Sequence, residues 1–288
     1  MRFEINNFFK NAMKMASGHP SSFCPLLSGH NIIRPLEHIL VTTDIVSENW
    51  KKIKAIDYSC FYRECLYHSP EHHIVRSSIL LEVMPQVILM PTIGVRGGLW
   101  QETSGAARNT SARMFMPVFS NENNYNIQIM LTANFRWNIC KKIQGARWND
   151  VSEHSLTGEY FDYLQFYKKN NDLSSDAKEK IKTTLSNNKN NFKNIFLTDY
   201  YIWIKYESQG TPRLNKVVRK IMFDHCPFSA EYRDKLINNP IYQSFINKHN
   251  NKANKKYTSL NNHYQSISQK YNEELPEEIS DYINFYKA

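Results

Sequence analysis

Apolar residues along this chain change their rhythm near residue 170. Beyond it they recur every three or four positions between clear helix stops and starts; before it, helical stretches alternate with short β-branched runs and glycines. At the N-terminus Ile5, Phe8, Phe9, Ala12, Met13 and Ala16 keep helical spacing, which predicts an amphipathic helix followed by a Gly-, Pro- and Ser-rich loop. Residues 38–46, "HILVTTDIV", are β-branched enough to predict a strand. Residues 47–68 read as a helix with Ser47 as N-cap and Trp50, Ile53 and Ile56 on one face. In "SPEHHIVRSSILLEVMP" Ser69 precedes Pro70 and Glu71, a helix-start pattern, and Pro85 is the expected stop. "QVILMPTIG" then reads as a short strand or buried turn.

Residues 125–139 carry two periods at once. Tyr125, Ile127, Ile129, Leu131, Ala133, Phe135, Trp137 and Ile139 alternate strictly, as in a strand. Fifteen residues is long for a strand, and Ile127, Leu131, Phe135 and Ile139 also step by four. With the helix formers and glycine of "CKKIQG" after them, the helix is the expectation adopted.

Past residue 170 helices are expected at 174–187 (Ser174 as cap), at 191–209 (Gly210 as stop) and from Thr211-Pro212 to 223. Shorter ones are expected at 229–236, 239–249 and 275–286, and the polar stretch 250–269, "NNKANKKYTSLNNHYQSISQ", reads as a linker. The fold class that follows is mainly α, an α+β protein with minor strand content. It would consist of a mixed N-terminal part (1–170), a helical bundle packed on it (171–245), and a polar linker with a terminal helix (246–288).

Composition sharpens this. An apolar fraction of 41% with 13% aromatics belongs to a folded chain, since disordered chains lack aromatics. No run reaches the eighteen apolar residues of a membrane span, and residues 1–17 lack a signal peptide's unbroken apolar core. Five dispersed cysteines do not suggest a disulfide framework, so a cytoplasmic protein is expected. The net charge of +9 favours an anionic partner, nucleic acid above all, although an Asn- and Ile-rich chain also gains lysine through codon drift.

Candidate chemistry is sparse. In "PTIGVRGGLWQETSGAARNTSARMF" (91–115) four of nine glycines lie among Arg96, Arg108 and Arg113. Gly97 and Gly98 would let backbone amides approach a ligand, and arginine forks fit phosphate or carboxylate. No Lys-Ser or Lys-Thr follows and Gly-x-Gly-x-x-Gly is absent, so neither nucleotide motif is present. Cys60, Cys65, His68 and His72 form a zinc-type set with poor spacing, and neither metal nor cofactor is expected. No Gly-x-Ser-x-Gly or His-Glu-x-x-His occurs. Two stretches suit nucleic acid. One interleaves Arg136, Lys141, Lys142 and Arg147 with Trp137 and Trp148; the other sets Arg213, Lys216, Arg219 and Lys220 at helical spacing. The aromatic run Tyr160 to Tyr167 reads as core before interface.

Three functions therefore stand open: a non-enzymatic protein that binds an anionic partner such as nucleic acid, an aromatic protein-interaction module, or an enzyme that holds a phosphorylated or nucleotide substrate at 94–113. The first is the leading expectation. Whether the protein catalyses anything is left open.

Overall fold

The computed structural model describes residues 39–94, 96–101, 110–120 and 123–287. The expected N-terminal helix, its following loop up to residue 38, and Arg108 lie outside these residues. Helix accounts for 63% and strand for 15%, so the fold is mainly α with small sheets.

The first helix, α1 (Thr43–Ile56), begins four residues before the expected cap. The Thr42 hydroxyl accepts from the Ile45 amide at 3.2 Å and Asp44 sits in the first turn, so "TTD" is a helix start and not the middle of a strand. Only Leu40 keeps a sheet-like pairing, an isolated bridge to Phe119. Then comes a hairpin where helices were expected. Strands β1 (Tyr62–Ser69) and β2 (Ile74–Glu82) pair antiparallel, with Tyr62 opposite Glu82 and Tyr67 opposite Ser77. The Ser-Pro-Glu signal is real but drives a single 3-10 turn, Pro70–His72, and His73 leaves it with a left-handed φ of 58°. Ser69 Oγ donates to the Glu71 carboxylate at 2.6 Å and caps no backbone amide of the turn. Tertiary contact decides the rest: Ile74 and Ile79 are buried against helices some two hundred residues away in sequence.

A second sheet, in the order β3-β5-β4, holds β3 (Gln86–Ile93) parallel to β5 (Arg113–Phe119), with β4 (Gly98–Trp100) antiparallel on its other side. Within the glycine-rich segment 91–115, residues 91–93, 98–100 and 113–115 are thus strand. The doubly periodic segment is helix α2 (Asn124–Gln144), as the step of four implied.

The remaining helices are α3 (Leu156–Gln165), α4 (Ser175–Asn187), α5 (Phe192–Lys205), α6 (Lys216–His225), α7 (Ala230–Leu236), α8 (Pro240–Tyr271) and α9 (Glu277–Asn284). Ser174 caps α4 as expected, accepting from Ala177 N. Helix α6 starts later than Pro212 implied, because Asn215 Oδ1 accepts from the amides of both Val217 and Val218. The expected linker 250–269 is corrected outright: it lies inside the 32-residue α8. Asparagine is a poor helix former, yet Tyr242, Ile246, Ala253 and Tyr264 fix one buried stripe along it.

Two cores result. The larger runs from Val41 to Ile246 and holds the aromatic centre Trp203, Phe228, Tyr160 and Phe135, with no gap in its packing at residue 170. The smaller joins Ile74 and Ile79 of the hairpin to Tyr264 of α8 and Ile279, Tyr282 and Ile283 of α9. The long helix α8 bridges the two cores. Among the described residues no helix is long and apolar enough to cross a membrane.

Candidate anion-binding surfaces

The two expected basic stretches divide: Arg136 and Arg219 turn inward, while Lys141, Lys142, Arg147, Arg213, Lys216 and Lys220 stay exposed. Arg136 is a core strut. Its Nη1 lies 3.3 Å from Asp57 Oδ2, and Nη2 donates to the carbonyl of His225. Asp57 is fully buried and also accepts from the hydroxyls of Tyr200 and Ser59, both at 2.8 Å. Trp137 is buried and packs edge-on to Tyr160, so neither residue is free to meet a strand of nucleic acid. Trp148 is half-buried against Phe161, with the Lys141 ammonium 4.2 Å over its ring. Lys142 donates to the Gln101 carbonyl, and Arg147 pairs with Glu153 at 2.6 Å and Asp150 at 3.3 Å. Each cation in this stretch already has an internal partner.

In the second stretch Arg219 turns inward. Its Nε and Nη2 reach Glu207 at 2.8 and 3.2 Å. Glu207, fully buried, also accepts from the amides of Arg213 and Leu214 and from the Tyr242 hydroxyl at 2.9 Å. The carboxylate is therefore a knot that ties the turn after α5 to α6 and α8. Of the others, Arg213 stacks 3.6 Å over Tyr206, Lys216 pairs with Asp172 at 3.1 Å, and Lys220 is exposed.

The glycine-rich segment divides in the same way. Arg96 is exposed at an open groove of about 550 Å³, together with Asn126, Asn134, Asn188 and Asn194. Gly97 is needed for packing: a Cβ there would come within 2.8 Å of the Phe115 carbonyl and of the Leu131 side chain. Gly98 has room for a side chain and pairs with Phe115 in the ladder. Arg113 lies opposite Trp100 with its guanidinium 5.2 Å over that ring. Arg96 precedes the ladder and lines the groove, whereas Arg113 stacks on Trp100.

The zinc-type set also comes apart. Cys60 and Cys65 are buried while His68 is exposed, and among the described residues no three His, Cys, Asp or Glu side chains gather as a metal site would require. The Tyr160–Tyr167 run is mostly core, as expected, with Phe166 left half-exposed.

What sequence reasoning missed lies in α8. From Pro240 to Tyr271 there is no Asp or Glu, and there are five lysines. Lys248, Lys252, Lys255 and Lys256 are all exposed and fall at i, i+4, i+7 and i+8, a single face opposite the buried stripe. Asn247, Asn251 and Asn254 are exposed among them. Lys252 donates to Asp224 of α6 at 2.6 Å; the other three have no carboxylate within 4 Å among the described residues. Burial alone would raise Asp224, but Lys252, His225 and Lys248 together hold it below the usual carboxylate range. Lys220 sits one turn before Asp224 on α6, so the lysines of both helices border one another. The signal was present as a long acid-free run, but its asparagines disguised it as a linker.

Residues 145–286 match the family model of a domain of unknown function, DUF8509. The match contains the Glu207 knot and the whole α8 face, and it leaves out the hairpin, the second sheet and Arg136. No curated protein and no solved structure matches the chain.

Proposed function

We propose that this protein binds nucleic acid without catalysing a reaction on it, through the exposed lysine face of α8 extended by Lys220 of α6. The observation that carries this reading is a four-lysine face on a helix that has no acidic residue to neutralise it. Such a face releases counterions from a phosphate backbone, and the interleaved asparagines can hydrogen-bond sugar or base edges. A continuous 32-residue helix packed on two cores presents this row at helical spacing, which suits a regular array of phosphates better than a single small ligand. The free thiols of Cys60, Cys65, Cys140 and Cys226 support a reducing compartment, and the reading places the protein in the cytoplasm.

Fluorescence anisotropy of labelled single- and double-stranded oligonucleotides with the full chain tests the reading. Affinity is expected to fall steeply as salt rises, with a slope near 0.9 per phosphate contact on duplex. No binding to either form at low salt would remove it.

A further inference from the structure

A second basic feature lies inside the fold and is not explained by the α8 face. A cleft of about 260 Å³ opens between β1, α2, the start of α3 and the end of α6. Its lining includes Arg63, Glu64, Arg136, Cys140, Ser155 and His225. Arg63 is 3% exposed and has no carboxylate within 4 Å among the described residues. Its Nη2 donates to the Thr110 carbonyl; Nε and Nη1 meet no oxygen acceptor and have the weakly accepting Cys65 sulfur as hydrogen-bonding neighbour, and the buried Nε of Arg136 meets none. His225 Nε2 stands 3.4 Å from Glu159 without a directed hydrogen bond.

A guanidinium taken out of water with two donors unmet by oxygen is costly, and folded proteins keep such groups only where something accepts from them. The acids nearby are engaged elsewhere. Asp57 is held by Arg136, Tyr200 and Ser59, and Glu159 lies beside His225 rather than beside Arg63. Glu64 is exposed, and the buried Cys65 thiol is the remaining titratable neighbour of Arg63.

We propose that this cleft is a binding site for a phosphate monoester, with Arg63 as its principal ligand and Arg136 and His225 closing around it. A planar carboxylate satisfies one guanidinium fork, whereas a tetrahedral phosphate offers three oxygens to donors carried on separate elements of the cleft wall. The monoester has two possible sources, a free small molecule or the 5′ end of a strand lying on the α8 face. His225 directly follows Asp224, the residue that Lys252 grips, so the cleft adjoins that face.

Thermal unfolding of the full chain is followed with inorganic phosphate, methyl phosphate, and sodium chloride at matched ionic strength. Phosphate and methyl phosphate are expected to raise Tm saturably and chloride to leave it unchanged. Arg63→Lys is expected to weaken the apparent Kd about tenfold or more, because a point charge cannot reproduce the fork. Cys65→Ser is expected to bind as the parent does, which sets aside a thiolate as the counter-ion of Arg63. Should Arg63→Lys not fold, Cys140→Phe fills the cleft with every charge kept and is expected to abolish the response. A saturable response that persists when the α8 lysines are changed to Ala keeps this site independent of the nucleic-acid reading. Tighter binding of 5′-phosphorylated than 5′-hydroxyl oligonucleotides identifies the strand as the source, and equal binding identifies a free ligand. The absence of a saturable phosphate response, or one that survives both Arg63→Lys and Cys140→Phe, overturns the proposal.

Discussion

The run from Arg213 to Lys220 and the run from Lys248 to Lys256 each carry four cations at helical spacing. In the first, Arg219 is buried on Glu207, Lys216 is paired with Asp172 and Arg213 is stacked on Tyr206. In the second, all four lysines face solvent and only Lys252 has an acidic partner. The difference lies in what surrounds each run. Helix α6 is flanked by acids at Asp172, Glu207 and Asp224, and arginine, with its rigid fork and weaker hydration, is the cation that enters a core. The acid-free α8 uses lysine only, the strongly hydrated cation that stays outside. Arginine at a periodic position is thus a candidate strut, and lysine in an acid-free helix a candidate surface.

The largest effect expected is at the strut. Arg219→Ala leaves the buried Glu207 carboxyl with two of its donors gone, and the loss of stability is expected to be about 3–5 kcal/mol in urea denaturation. A loss under about 1 kcal/mol would mean that the carboxylate finds water, and the contrast between the two runs would weaken. Next, Arg136→Ala is expected to cost about 2–3 kcal/mol, less because Arg136 meets Asp57 through one contact of 3.3 Å where Arg219 grips Glu207 through two, at 2.8 and 3.2 Å.

A smaller effect is one of pH. His249, on α8, is held down to about 4 by burial and by Arg233, so it stays neutral where the unfolded chain takes up a proton below 6.5. The unfolded state then binds more protons, and stability falls as pH drops from 6.5 toward 4. Asp199 has the opposite sign: burial pushes it up to about 7, offset in part by the hydroxyl of Tyr160. It keeps its proton in the fold while the unfolded chain loses one, so stability falls as pH rises from 3.8 to 7. The two slopes oppose each other between pH 4 and 6.5. Asp199→Asn is expected to remove one and leave a loss of about 1–2 kcal/mol on acidification across that window, read from urea midpoints. A flat profile in that variant would mean that His249 titrates normally.

The smallest stability effect is expected at the surface. Replacing Lys248, Lys252, Lys255 and Lys256 together by Ala is expected to change stability by less than about 1 kcal/mol, measured by the same denaturation.

The sequence carried the fold unevenly, for physical reasons. Helices with a local stop or cap, as at Ser174 and Gly210, were legible, whereas the second half of α8 was not because its asparagines read as a linker. Helix α2 carried a strand's period beside its own because it is buried on several sides: Gln128 and Thr132 are inside along with Ile127, Ile129, Leu131 and Ala133, so it has little amphipathic contrast. The β1–β2 hairpin was illegible because what holds it, the packing of Ile74 and Ile79 on α8 and α9, comes from the far end of the chain. For the candidate surfaces, charge spacing was visible and burial was not. Arg136 and Arg219 read as surface cations, and Arg63 carried no signal at all, since a lone arginine in an alternating stretch does not reveal an unpaired interior position.

The direct test of the lysine face compares salt slopes of duplex binding for the parent chain, the four-lysine α8 variant, and a variant with Arg213 and Lys216 changed to Ala. The α8 variant is expected to lose affinity at low salt and about two to four units of slope, while the α6 variant keeps nearly the parent slope. Equal slopes for the parent and the α8 variant, or a larger loss in the α6 variant, would contradict the account.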